Sequence, residues 1–384
     1  MRWNAVPAPL ALAIVLCVAL VTVVYRVRHD AGIWTSDSAV YLRMALADRG
    51  LTESEAKRDA DAFMAQTAEG RLPESAGFYG PNPPTYYAQQ FGIFRTRPLY
   101  PLLTAALYPA FGPHAMQLIS AAAYVLGTAV MFGILSLSVP AATAGLGALA
   151  FATAPQVLAL CALPLTDEMA LLFWCCALGA MLRYVRAPGA LSAGGLAAAA
   201  LLLTFTRPAA YLPCAAACGY AIAVRGELAR RAAAALLTVT FSAGIIFTAY
   251  TAIVHGPGPA AQLRWQYDWQ RAVHGPGASG SFGHWYAFAL AAALGLLLTV
   301  GVYKYAALVP LALAAYGARI AQRDDLALLL GGAAGALAAI GANPLEINRT
   351  ALLPLTPTVV VLATLALDRL FRLPVPVAAR GPQR

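Results

Sequence analysis

Seven charged side chains stand where their types and spacing permit chemistry. Asp37 sits inside the stretch WTSDSAVYLRMA (34–45), and Arg97 opens RPLYPLLTAALYPAFG (97–112). Asp167 and Glu168 follow Thr166 in LTDEMALLFWCCALGAMLRYVR, and Arg207 lies in TRPAAYL. Glu346 and Arg349 flank Asn348 in EINRTALLPLTP. Taken singly, most have plain structural readings. Asp37 reads as a helix N-cap, and Asp167 and Glu168 as first-turn acids that complement a helix dipole under a Thr166 cap. Arg207 reads as a snorkelling arginine ahead of Pro208, which starts the next helix. Taken together they supply more. A carboxylate can take a proton from an acceptor hydroxyl, while guanidinium groups neutralise charge developing on a departing phosphate. Two acidic sites and two or three arginines on one side of a bilayer are what transfer from an anionic lipid needs.

Convergence requires helices that end on a common side of a membrane, and the composition calls for such helices. Of 384 residues, 60% are hydrophobic and only 11% charged, with a mean hydropathy of +0.66. A soluble domain carries roughly 25% charged residues, so this chain reads as an all-α polytopic membrane protein. The net charge of +9 gathers in short connections, RYVR (183–186) and RGELARR (225–231), and in the tail from Arg369. That is a positive-inside pattern and no sign of nucleic-acid binding. The six cysteines lie in apolar runs without metal-ligand spacing and read as small core residues. The apolar run Ala8–Tyr25 is followed by RVRHD instead of a small-residue cleavage site, which predicts an uncleaved signal anchor.

Candidate spans are 9–25, 115–138, 141–161, 168–185, 190–206, 208–224, 232–254, 284–303, 305–320, 326–342 and 350–368. The charge bias then places 26–114 and 255–283 outside the cell in a multi-pass plasma (inner) membrane protein, one transmembrane domain over 1–384. It also requires 284–320 to make one net crossing, broken around Tyr303-Lys304-Tyr305. Within 26–114, periodicity predicts short helices over 38–48 and 52–68, a loop GFYGPNPPTYYAQQFG, and an interfacial helix in 97–112. Trp265, Tyr267, Trp269, His274 and Trp285 are expected to form an aromatic belt at the headgroups.

In the order of these motifs the chain resembles the GT-C membrane glycosyltransferases, which use polyprenyl-phosphate-linked sugars. TSDSAVYLRMA looks like their first-loop motif of an acid followed by a short helix, and RPLYPLLTAALYPAFG like the interfacial helix before their second span. LTDEMALLFWCCALGAMLRYVR looks like their acid-led fourth helix, and TRPAAYL and NRTALLPLTP like their later basic motifs. The resemblance covers most of 30–225 and 340–368 and little of 255–335. It implies a GT-C-like bundle of about 10–11 helices with a long first extracytoplasmic loop. It makes Asp37 the catalytic base, Asp167 with Glu168 an acidic site for the acceptor or a divalent metal, and Arg207, Arg349 and Arg97 the holders of a donor phosphate. The expected partners are a polyprenyl-phosphate-linked sugar and a lipid, glycan or protein acceptor. The chain departs from larger members in lacking a soluble C-terminal domain and in a long insertion at 48–96, which leaves acceptor recognition to the membrane loops.

Two other classes stay open at this stage. A transporter or flippase would place ionisable groups near the bilayer midplane, and the span centres hold none. A noncatalytic subunit of an envelope complex is the other.

Overall fold

The computed structural model describes residues 6–30, 34–68, 91–274, 280–303 and 305–372. Most of the Gly/Pro/Tyr-rich loop, Lys304 and the basic tail lie outside them, as do the Trp269 and His274 side chains.

Among the described residues the secondary structure is helical throughout: α1 Ala8–Asp30, α2 Ser36–Asp48, α3 Glu53–Ala68, α4 Leu99–Phe111, α5 Ala115–Ser136 and α6 Ala141–Ala152. Next come α7 Asp167–Arg186, α8 Ala190–Thr206, α9 Tyr211–Ala223, α10 Glu227–Ile253, α11 Pro259–His274 and α12 Phe282–Tyr303. The series closes with α13 Tyr305–Ile320, α14 Arg323–Ala342 and α15 Leu353–Phe371. Among the described residues six helical stretches are long and apolar enough to cross a membrane: α1, the run Leu99–Ser136, α7, α10, α14 and Asn348–Phe371. Shorter apolar helices, α6, α8, α9 and parts of α12 and α13, complete the set. The protein is therefore an all-α, multi-pass membrane protein.

Several boundaries differ from the expected spans, each for a local reason. Leu99–Ser136 has 38 residues, about 57 Å of helix against a hydrocarbon core of about 30 Å. Gly112, at φ 55°, breaks it, a backbone conformation that suits glycine. The chain then folds back, so that the Tyr100 hydroxyl donates to Met116 O at 2.9 Å. The span expected at 141–161 stops at Ala152. Pro155 forces Ala154 into an extended conformation, and only a single turn, Pro155–Leu158, follows. Pro208 does not start the next helix as expected: a turn closed by Ala209 N–H on Arg207 O intervenes, and α9 begins at Tyr211. Nor do the aromatics of the 255–283 region and α12 form a simple belt. Tyr267 and Trp285 are buried against one another and Ala289, and Trp265 packs against the cluster of the first loop.

Side-chain bonds show which helix ends share a layer. At one end Ser38 reaches Pro164 O, Tyr41 reaches Thr166, Tyr250 reaches Arg95 O, and Tyr286 of α12 reaches Gly341 O at the end of α14. At the other end Arg186 closes α7 on Asp325 of α14 and on the α5–α6 connection, donating to Leu137 O at 2.6 Å and Ser138 Oγ at 2.7 Å. Since α12 starts in the first layer and α13 ends three residues before α14 starts in the second, the pair α12–α13 makes one net traverse. Helices α9 and α14 pack backbone to backbone through Gly219, Gly331 and Gly335.

Candidate functional site

Four chain segments far apart in sequence meet at the first layer, and each arrives for a reason readable in its residues. Helix α2 is opened by a capping box: Thr35 Oγ1 accepts from Ser38 N–H at 3.2 Å, and Ser38 Oγ accepts from Thr35 N–H at 3.1 Å. Capping thus belongs to Thr35, and the expectation that Asp37 is the cap is corrected. Asp37 sits in the first turn, and its carboxylate accepts from Arg349. Thr166 occupies the cap position of α7, yet its side chain makes no capping bond and turns instead to the Tyr41 hydroxyl at 3.3 Å. Arg207 ends α8 in an extended conformation (φ −153°, ψ 143°), which the following proline favours. Its side chain is thereby presented at the helix end. Arg349 lies in a π-helical turn, Asn348–Leu352, at the start of the last membrane helix, a local irregularity that recurs at functional sites.

Arg349 is the hub. Its Nε is 3.0 Å from both Asp167 oxygens and its Nη2 is 2.8 Å from Oδ2. Its Nη1 donates to Asp37 Oδ2 at 3.1 Å and to Glu346 Oε1 at 2.9 Å. Arg207 Nη1 binds the same Asp167, and its Nη2 lies 3.6 Å from Glu346 Oε2. The Asp167 side chain is fully buried between two guanidinium groups, whereas Glu346 keeps 40% of its side chain exposed. Burial raises the Glu346 carboxyl, but the charges of Arg349 and Arg207 outweigh it and hold it below its ordinary value.

Arg97 forms a second tier. It donates to the Tyr41 hydroxyl at 3.1 Å and lies over the Phe94 ring at 4.8 Å, with Asp37 and Arg349 within electrostatic reach. Burial raises the Tyr41 phenol, which Arg97 partly offsets, so Tyr41 serves as a neutral bridge from Arg97 to Thr166.

The sequence-based set is therefore mostly brought together: Asp37, Asp167, Arg207 and Arg349 join in one ion-paired network, and Arg97 stands behind it. Glu168 does not join. Neighbouring helical positions point about 100° apart, and Glu168 is turned into the packing, within electrostatic reach of Tyr124 and Cys175. Its Oε1 has no hydrogen-bond partner among the described residues. Tyr41 carries no distinguishing signal in sequence, because a tyrosine on an amphipathic helix reads as core, and Thr166 stands out there as a helix cap, not as a partner of Tyr41. Glu346 was a candidate by position alone; its carboxylate belongs to the network. Among the described residues no three His, Cys, Asp or Glu side chains are grouped to hold a metal ion; the acids here meet through arginines.

Below the network lies a small cavity of about 20 Å³. Asp167, Ala170, Leu171 and Trp174 line it at the i, i+3, i+4, i+7 spacing of one helical stripe, and Arg207 and Arg349 stand at its head. Leu203, Leu212 and Leu353 complete apolar walls, and Trp174 Nε1 is tied to Pro354 O at 3.1 Å. Two guanidinium groups thus stand at the head of a small cavity with apolar walls.

Comparison with protein-family models, with characterised proteins and with solved structures finds no match. The functional reading rests on this geometry and on the motifs.

Proposed function

We propose that the protein is a membrane glycosyltransferase that moves a sugar from a polyprenyl-phosphate donor to an extracytoplasmic acceptor, with inversion at the anomeric carbon. The observation that carries the reading is the pairing of Arg207 and Arg349 at the head of an apolar cleft with the Asp37 carboxylate bonded to the same Arg349. The guanidinium pair takes the phosphate, and the isoprenoid chain enters along the stripe toward Trp174 as the apolar walls of the small cavity part. Asp37 accepts the proton of the acceptor hydroxyl as its oxygen attacks the anomeric carbon. The bond from that carbon to the phosphate oxygen breaks, and its electron pair stays with the phosphate between the arginines. Asp167, bonded to both arginines, fixes the spacing of the guanidinium groups.

The arginines Arg183, Arg225, Arg230, Arg231, Arg319 and Arg323 cluster at helix ends of the opposite layer, with fewer acids. By the positive-inside rule that layer is cytoplasmic and the site faces outward. A single traverse by α12–α13 is compatible with that assignment. A transporter reading has less support, since the buried charges cluster at helix ends, outside the central thickness of the bundle.

The test is loss of radiolabelled sugar from a panel of polyprenyl-phosphate hexoses and pentoses, using purified protein in bilayers with total membrane lipid and glycan as acceptor. Release that depends on the protein and vanishes in Arg349→Gln supports the reading. No release from any donor, together with no binding of prenyl phosphate, removes it.

A further inference from the structure

We propose that Glu346 is an internal counter-anion that occupies the phosphate subsite at Arg207 and Arg349 and yields its place when the donor enters; this rests on reading Arg207 and Arg349 as the phosphate-binding pair. Glu346 places its two carboxylate oxygens against two different guanidinium groups, Oε1 at 2.9 Å from Arg349 and Oε2 at 3.6 Å from Arg207. A phosphodiester offers the same arrangement, two non-bridging oxygens sharing one negative charge. Exchange of one for the other leaves the charge of the network unchanged.

The count of donors favours such an exchange for a phosphate held as a fork on Arg349. Arg349 has five N–H donors. Asp167 takes those of Nε and one of Nη2, while Asp37 and Glu346 share Nη1. A phosphate that hydrogen-bonds Arg349 as a fork must take a donor from a carboxylate. Asp167 is the worst candidate to give one up, since it is fully buried and bonded to both arginines. Stripping a buried charge of its partners is strongly unfavourable.

Glu346 is the best candidate. It is the most exposed carboxylate of the network, so water awaits it on release. Its remaining side-chain partner is Asn343 Nδ2 at 3.2 Å, three residues away on the same connection. It also sits in a short 3-10 turn, Pro344–Glu346, that feeds a π turn. Both are less regular than an α-helix, so their rearrangement disrupts little. Glu346 then sets a threshold. A lipid without a negative charge, such as a free polyprenol or a diacylglycerol, gains too little from the arginines to displace it.

Titration of the purified full-length protein with farnesyl phosphate in neutral detergent, with farnesol as the uncharged control, tests this directly. Glu346→Gln should bind farnesyl phosphate about tenfold tighter than wild type or better, the scale of one charge-assisted hydrogen bond, with farnesol unaffected. Glu346→Asp, too short to reach both arginines at once, should also bind tighter, and it stands in if the glutamine variant fails to fold. Farnesyl phosphate affinity unchanged or lowered in these variants, with Arg207→Gln weakening it, overturns the role of Glu346 and leaves the phosphate site standing. No binding by wild type or by folded Glu346→Gln removes the phosphate reading and this inference with it.

Discussion

Replacing Asp37 by Asn separates two jobs that one residue type can do at a helix start. Asn caps as well as Asp, but the cap of α2 is Thr35, so the two jobs already belong to different side chains. Asp37→Asn keeps an acceptor for Arg349 Nη1 but loses the ion-pair charge, so it should lower the melting temperature slightly and lower sugar transfer by about 10²–10⁴-fold, the worth of a general base. Thr35→Ala should show the converse emphasis: a loss of about 1 kcal/mol of stability, with transfer reduced only as far as Asp37 is misaimed. Thermal melts alongside the transfer assay distinguish them, and wild-type transfer in Asp37→Asn would return that carboxylate to a structural role. Glu346 gives a pH signature. Its carboxyl is held below the ordinary 4.5 in the folded state, chiefly because Arg349 and Arg207 outweigh its burial. Its contribution to stability is therefore complete above about pH 4.5 and is lost as pH falls through the folded-state value. The melting-temperature gap between wild type and Glu346→Gln should be widest near neutrality and should close in acid. A gap independent of pH would mean that the ion pairs of Glu346 contribute nothing.

At the scale of elements, local chemistry determined what was legible. The long apolar runs announced α1, α5, α10, α14 and α15, because a helix in lipid must be apolar along its length. Proline and glycine effects were harder to place. Pro208 was visible as a breaker, but not that it would extend Arg207 and delay α9 to Tyr211. Asp37, Asp167, Arg207 and Arg349 could be selected as charges at helix ends. Their joining through Arg349 could not, since no sequence spacing relates residue 37 to residue 349. Glu168 shows the opposite failure: a neighbour in sequence was read as a neighbour in the site, although the helical turn points it elsewhere. Close packing of α9 on α14 was equally hidden. A side chain at Gly331 would collide with the Ala215 carbonyl oxygen and one at Gly219 with the Ala327 carbonyl oxygen. Gly331→Leu should therefore force the two helices apart and, because α14 leads directly into the Glu346–Arg349 connection, reduce both melting temperature and prenyl phosphate binding. The surface change Gly194→Leu, where a side chain meets open space, should do neither. Size-exclusion recovery and the binding titration report the two effects.

For the whole molecule, sidedness follows from which ends share a layer. In a background without the native cysteines, Ser54→Cys on the first loop should react with a membrane-impermeant maleimide in intact cells. Arg230→Cys, at the opposite layer, should react only after permeabilisation, and the reverse pattern would place the cleft on the cytoplasmic face. Helix α7 is fastened at both ends by buried charge, Asp167 to the arginines of the site and Arg186 to Asp325. Its 20 residues measure about 28 Å between those fastenings at 1.5 Å per residue, close to one hydrocarbon thickness. A free transmembrane helix adjusts to a thinner or thicker bilayer by tilting. Fastened twice, α7 resists tilting, and the mismatch falls on the lipid or on the ion pairs themselves. On this geometry α7 is expected to act as a gauge of bilayer thickness. In phosphatidylcholine bilayers of graded chain length, stability and turnover should peak together where the hydrocarbon core is about 30 Å, and Asp325→Asn, by releasing one end of the gauge, should broaden that peak.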